Sequence, residues 1–223
     1  MKKIIFFASI SLLLMGIVTT ITFANNFNND IESFVKNKKE NLEALENRKD
    51  IVISGVIEGN EFSITKEDYE IYKENIKFVH KMNKLDFIED IDTLTEQMIQ
   101  QEVLLAYAKN QGISVSADEI LEYAEQTKKF FNDLDKSDEM SQLHEELAKE
   151  KNVSREDYFT HPDVLKGYEE MLIVGKLVEQ LIEEGEVDFE NKTLESFVSK
   201  IKEKNNGKIK VDVEKIKNKN SKN

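Results

Sequence analysis

Three histidines, His80, His144 and His161, are the side chains of this 223-residue chain best suited to proton transfer or metal binding near neutral pH. Either task needs partners at close quarters: further ligands for a metal, a nucleophile and an orienting group for a base. The three stand far apart in sequence, and each reads as a surface or helix-end residue. No cysteine is present, which excludes disulfides, thiolate metal sites and a lipid anchor on a lipobox cysteine. There is no Gly-rich phosphate loop and no nucleophile elbow. The run DLDKSDE, Asp133 to Glu139, hints at a calcium loop. An EF-hand would need Gly where Asp138 stands and Glu where His144 stands, so the run reads as a solvated acidic loop. No catalytic residue, cofactor or metal ligand is expected.

The elements that position the remaining side chains follow from periodicity. One proline and eight glycines leave few breakers. Residues 27–48 read as a loosely amphipathic helix through Phe27, Ile31, Phe34, Leu42 and Leu45. IVISGVIE, residues 51–58, is rich in β-branched residues and reads as a strand. Gly59 and Asn60 can supply the positive φ of a tight turn, and EFSI makes a short second strand. Thr65 is a good N-cap with an acid, Asp68, three residues on. Tyr69, Tyr72, Ile76, Val79 and Met82 then recur at helical spacing. Leu94, Met98, Leu105 and Ala108 mark another helix, ending at Gly112. Ser116 and Glu119 form a capping box for the next, and Met140, Leu143 and Leu147 stripe a further one. A helical stretch from Ser154 meets Pro162, which should break or kink it, and runs to about Glu184. A helix over about 190–204 precedes a strand in which Ile209, Val211 and Val213 alternate.

A sheet of three strands is steadier than an isolated hairpin, so residues 208–214 are expected to return and pair with 51–57. The predicted fold is mainly α: a multi-helix body whose ends are clasped by a small sheet, formed by the N-terminal hairpin and the C-terminal strand. Its segments are a signal peptide over 1–24, an N-terminal helical segment over 25–50, the main domain over 51–214 and a disordered tail over 215–223. The signal peptide is read from Lys2 and Lys3, the uncharged run Ile4 to Ala24, and small residues Thr22 and Ala24 at the −3 and −1 positions. An uncharged run of about 20 residues can also span a bilayer, which is the only membrane contact expected if it stays uncut. Cleavage after Ala24 would move the net charge from −13 to −15, because the removed piece holds two lysines and no acids. Such acidity argues against nucleic acid and anionic membrane as partners and favours basic or neutral polypeptides.

ISGVIEGNEFSITKEDYEIYK resembles the start of the N-terminal chaperone domain of SurA- and PrsA-type secreted folding factors. LTEQMIQQEVLLAYAKNQGISVSADEI resembles the apolar helix and following segment of that family. NVSREDYF with MLIVGKLVEQL resembles its close. The resemblance covers about residues 51–184, and it departs at Glu58-Gly59, where the family usually has Asn-Gly. It implies a secreted, extracytoplasmic chaperone domain of a bacterial cell envelope that cradles unfolded or newly translocated polypeptides without ATP. Many relatives insert a parvulin-type prolyl isomerase domain before the last helix and strand. Here only residues 185–190 stand in that place, so prolyl isomerase activity is not implied.

A chaperone needs apolar surface that adapts to many sequences, and Met and aromatic side chains suit it. Met82, Phe87, Phe130, Phe131, Met140, Tyr158 and Phe159 fall at helix ends or in connections and are the candidate peptide-binding residues. Any one of them alone is more often a core residue, whereas an exposed cluster would mark a binding surface. The alternative is a secreted structural or interaction module that binds one cell-surface partner or assembles with itself as a homodimer.

Overall fold

Alternating β-branched residues build a hairpin at the start of the main domain. In the computed structural model, which describes residues 27–135, 139–188 and 193–217, strands β1 (Ile51–Ile57) and β2 (Asn60–Thr65) pair antiparallel. Val52, Ile53 and Ile57 of β1 and Phe62 and Ile64 of β2 are buried. Gly55 is required opposite Phe62, since a Cβ there would lie 2.5 Å from the ring.

Ile57 faces Asn60, so the two loop residues are Glu58 and Gly59, with φ of 48° and 95°. Positive φ at both positions is the mark of the type I′ turn that suits strand twist. The sequence had pointed to Gly59 and Asn60. Asn60 instead opens β2, its Nδ2 donating to the Ala106 carbonyl at 3.2 Å. Glu58 is held in the left-handed region by its contacts: its N–H donates to Asn205 Oδ1 at 3.3 Å, and its carboxylate accepts from Asn110 at 2.7 Å. A left-handed residue with a long side chain is strained, and Asn tolerates that region better. Glu58→Asn should therefore raise stability by about 0.5–1 kcal/mol in equilibrium urea unfolding. An unchanged or lower midpoint would show that the Asn110 bond outweighs the backbone gain.

The C-terminal strand does return to the hairpin. β3 (Lys210–Val211) pairs antiparallel with β1, giving the order β2-β1-β3. It is two residues long and does not extend over 208–214. Asp212 ends it by accepting from the Lys215 N–H at 3.1 Å, at the start of a short helix, Val213–Lys217. Val213 therefore leaves the strand, and residues 215–217 of the predicted disordered tail are helical, with Ile216 buried. The predicted signal segment and residues 218–223 lie outside the described residues.

Eight helices occur among the described residues, in chain order: α1 (Phe27–Glu43), α2 (Lys66–Met82), α3 (Ile91–Asn110), α4 (Ala117–Asp133), α5 (Glu139–Glu150), α6 (Pro162–Glu183), α7 (Leu194–Lys204) and α8 (Val213–Lys217). Capping boxes fix two starts: Thr65 with Asp68 for α2, and Ser116 with Glu119 for α4. Pro162 breaks the helical stretch rather than kinking it. It occupies the first turn of α6, where its missing N–H costs nothing, and a 3₁₀ turn, Asp157–Thr160, precedes it. His161 caps α6, its Nδ1 accepting from the Asp163 N–H at 3.3 Å.

Three apolar cores form among the described residues. The main core joins the sheet to α3, the C-terminal half of α6, α7 and Ile216. Ile31 of α1, Phe78 of α2 and Leu143 of α5 form a second, with Phe34 stacked on Phe78 at 4.2 Å. Ala124 of α4 packs on Tyr168 and Met171 of α6 in the third. At about 1.5 Å per residue, α6 is roughly 33 Å long, so it can serve the main core at one end and carry α4 at the other. Helix α1 then bridges α5 back to α2, helped by a largely buried Lys38–Glu150 ion pair at 3.5 Å. Among the described residues no helix is long and apolar enough to cross a membrane.

Candidate functional site

The outer end of this assembly gathers most of the predicted side chains. Phe130 and Phe131 arrive at the C-terminal end of α4, Met140 in the first turn of α5, and Tyr158 and Phe159 on the 3₁₀ turn. The piece that joins them is His144, in the middle of α5 and 4% exposed. Its imidazole stacks on Phe159 at 4.3 Å and 20°, lies 4.9 Å from the Phe131 ring and meets Tyr158 edge-on at 4.7 Å. Phe130 stands edge-on to Phe131 at 5.5 Å and is 58% exposed. The result is an aromatic bed with Phe159 as its floor, Phe131 and Tyr158 half-buried around it, and Phe130 projecting into solvent; Met140, also half-buried, stands one turn before His144 on α5.

Arg155 ties the bed together. Its guanidinium donates to the Phe131 carbonyl at 2.7 Å, in the last turn of α4, where a cation meets the negative end of the helix. Burial, with the Arg155 charge adding to it, pushes the His144 imidazole down to about 4. His144 is therefore neutral at physiological pH. Neither of its ring nitrogens has a hydrogen-bond partner among the described residues, and the Ser141 hydroxyl three residues earlier is also buried without one. Burial, and secondarily Glu150, pushes the Tyr158 hydroxyl up to about 12. The ring set thus carries no net charge on its aromatic members at neutral pH.

His144 is not the surface or helix-end residue its sequence suggested, and Phe159, 1% exposed, supports the bed from below rather than lining a surface. Phe87 lies elsewhere, in the connection after α2. It is half-buried against the main core and edge-on to His80 at 5.7 Å. His80 Nδ1 sits 3.1 Å from the Asp86 carbonyl. Met82 ends α2, and its side chain lies outside the described residues. Beside Phe87, Leu85 and Ile88 are 59% and 81% exposed. Neither was singled out by the sequence, although both lie in the polar connection KLDFIED, where an isolated Leu or Ile has no stripe to join.

The acidic run at Asp133–Glu139 falls partly outside the described residues, and no cluster of three metal-ligating side chains occurs among those described. The bed's geometry suits apolar contact: stacked faces and one projecting ring. No protein-family model, curated protein or solved structure matches this chain.

Proposed function

We propose that the protein binds extended, apolar-rich polypeptides outside the cytoplasm, acting as an ATP-independent, chaperone-like factor without prolyl isomerase activity. The observation that carries this reading is Phe130, a large ring more than half exposed on a packed aromatic bed. Exposed aromatic surface over a rigid base is what broad, weak capture of unfolded chains requires. The net charge of −13 supports the reading, because it keeps a sticky surface soluble. The resemblance of residues 51–184 to SurA- and PrsA-type domains points the same way.

Affinity for any one client is modest, since ordering a flexible chain opposes binding. The test is light scattering of a refolding client with the protein in several-fold excess. Wild type is expected to suppress scattering, and Phe130→Ser to lose much of that suppression while melting normally, since an exposed ring contributes little to stability. If wild type leaves scattering unchanged, the reading fails and binding to one specific partner replaces it. If Phe130→Ser is as effective as wild type, the binding surface lies away from the aromatic bed.

A further inference from the structure

Asn206 and Gly207 form the one Asn-Gly step in the chain. They lie in the connection between α7, which ends at Lys204, and β3, which starts at Lys210. In such a step the side-chain amide carbon of the asparagine and the main-chain nitrogen of the next residue can close a ring. Glycine, with no Cβ, leaves that nitrogen uncrowded.

Three features leave the step open in the folded protein. Asn206 is exposed, and its side-chain amide makes no hydrogen bond among the described residues. The Gly207 N–H has no carbonyl acceptor among them either. Gly207 holds a φ of 77°, and apart from its chain neighbours no heavy atom lies within 4 Å of where a Cβ would stand. Asn205 is the contrast, being 3% exposed. Its Oδ1 accepts from the Glu58 N–H at 3.3 Å and from the Lys208 ammonium at 3.2 Å, and its Nδ2 donates to the Ile201 carbonyl at 3.0 Å. Asn60, Asn83 and Asn110 also have engaged amides, and each precedes a residue with a side chain.

A change in the main chain here would be felt by the sheet. The Lys208 N–H donates to the Asn205 carbonyl at 3.0 Å, closing a turn around Asn206 and Gly207. Just beyond, Lys210 and Val211 pair with Ser54 and Ile53, and the Asp212 N–H donates to the Val52 carbonyl at 2.8 Å.

We infer that Asn206 is a site of spontaneous deamidation in the folded protein, and that its isoaspartyl product loosens the pairing of β3 with β1. The Gly207 nitrogen attacks Asn206 Cγ. The N–Cγ bond forms, the Cγ–Nδ2 bond breaks, and ammonia leaves with the proton of the Gly207 N–H. Water then opens the resulting succinimide. Cleavage at Cγ gives aspartate. Cleavage at the main-chain carbonyl carbon gives isoaspartate, whose main chain runs through Cβ and Cγ and is longer by one carbon. Water is the only co-reactant. The added carbon falls inside the Asn205–Lys208 turn and spoils the geometry of its hydrogen bond. A strand of two residues has little pairing with which to resist the resulting shift.

The test holds wild-type protein, folded, in mildly alkaline buffer and follows its peptides by mass spectrometry, with electron-transfer fragmentation to tell isoaspartate from aspartate. Residue 206 is expected to convert at least about tenfold faster than any other described asparagine, with isoaspartate among the products. Asn206→Gln should abolish the conversion, because its longer side chain closes a ring far more slowly. Hydrogen exchange reads the effect on the sheet. In aged wild type the Asp212 N–H should exchange about tenfold faster than in fresh protein. Aged Asn206→Gln should keep the fresh rate, as should fresh Asn206→Asp, which carries the new charge without the added carbon.

Conversion at residue 206 no faster than at the other asparagines overturns the inference. Conversion that leaves Asp212 exchange unchanged overturns the link to the sheet. So does Asn206→Asp exchanging as fast as the aged protein, since charge rather than chain length would then loosen the strand.

Discussion

Phe159→Ala is expected to lower the stability of the protein by about 3–5 kcal/mol, the range for removing a buried aromatic ring that leaves a cavity. Phe159 is 1% exposed and sits where three segments converge. It stacks on His144 of α5 at 4.3 Å, lies 5.7 Å from Phe131 of α4, and lies 6.1 Å from its neighbour Tyr158. Each aromatic contact of this kind is worth about 0.5–1.5 kcal/mol beyond the area buried. The surroundings have little means to collapse into the gap, because the 3₁₀ turn is pinned by α6 on one side and by the Arg155 bond to α4 on the other. Urea unfolding measures the loss. Leu85→Ala, at a side chain 59% exposed, is the control and should cost no more than about 0.5 kcal/mol. If Phe159→Ala costs less than about 1 kcal/mol, the aromatic bed is a loose association of rings rather than a packed core, and Phe130 loses the rigid base on which the proposed function depends.

The parts of this fold that were legible in the sequence are those set by short-range chemistry. Thr65 with Asp68 and Ser116 with Glu119 announce helix starts because side chain and backbone satisfy each other within one turn. The hairpin is legible from β-branched alternation, and the pairing of its first strand with residues near the C-terminus follows from the poor stability of two strands alone. Details that depend on distant contacts were not legible. The turn falls at Glu58 and Gly59 rather than at Gly59 and Asn60, because Asn110 and Asn205, far along the chain, hold Glu58 there. β3 stops at Val211 because Asp212 turns its carboxylate to the backbone ahead.

His144 is the clearest case of the same limit. QLHEELAKE reads as a charged helix face, and nothing local says that the imidazole faces inward. Its burial depends on rings supplied by α4 and by the 3₁₀ turn, elements that the sequence places before and after α5 without showing that they meet. The aromatic residues themselves were visible as a set at helix ends. Which of them would be floor, wall or exposed tip was not, since that depends on the angle at which α5 crosses the end of α4.

The pH dependence of stability should reveal two groups that oppose each other, a buried histidine and a half-buried glutamate. His144 is pushed down to about 4 by burial and Arg155, whereas an unfolded histidine titrates near 6.5. The folded state therefore refuses a proton that the unfolded chain accepts. The stability associated with a neutral His144 is complete above the unfolded value, falls as the pH drops below 6.5 and levels off below about 4. By pH 5 the loss amounts to about 2 kcal/mol. Glu102, half-buried in α3, runs the other way. Burial, reinforced by Glu170 and countered by Lys109 and Lys166, pushes its carboxyl up to about 7 from an ordinary 4.5. Its contribution is complete below the unfolded value and is lost as the pH rises from 4.5 through 7, a change of about 1–2 kcal/mol after allowing for partial exposure. The two nearly cancel between pH 7.5 and 5, so the wild-type midpoint in urea should move little across that interval. Single variants separate them. His144→Phe keeps the ring stack, removes two unpartnered nitrogens and should make the protein more stable as the pH falls to 5, because Glu102 then acts alone. Glu102→Gln should raise stability at pH 7.5 and make it fall steeply toward pH 5, because His144 then acts alone. The interval above pH 5 is chosen because the carboxyls held low by their hydrogen bonds, Asp90, Asp163, Asp212 and Glu119, lose their contribution only in more acidic solution. Parallel slopes for the two variants would mean that neither group is buried as described, and a His144→Phe profile matching wild type would remove His144 from the interior of the aromatic bed.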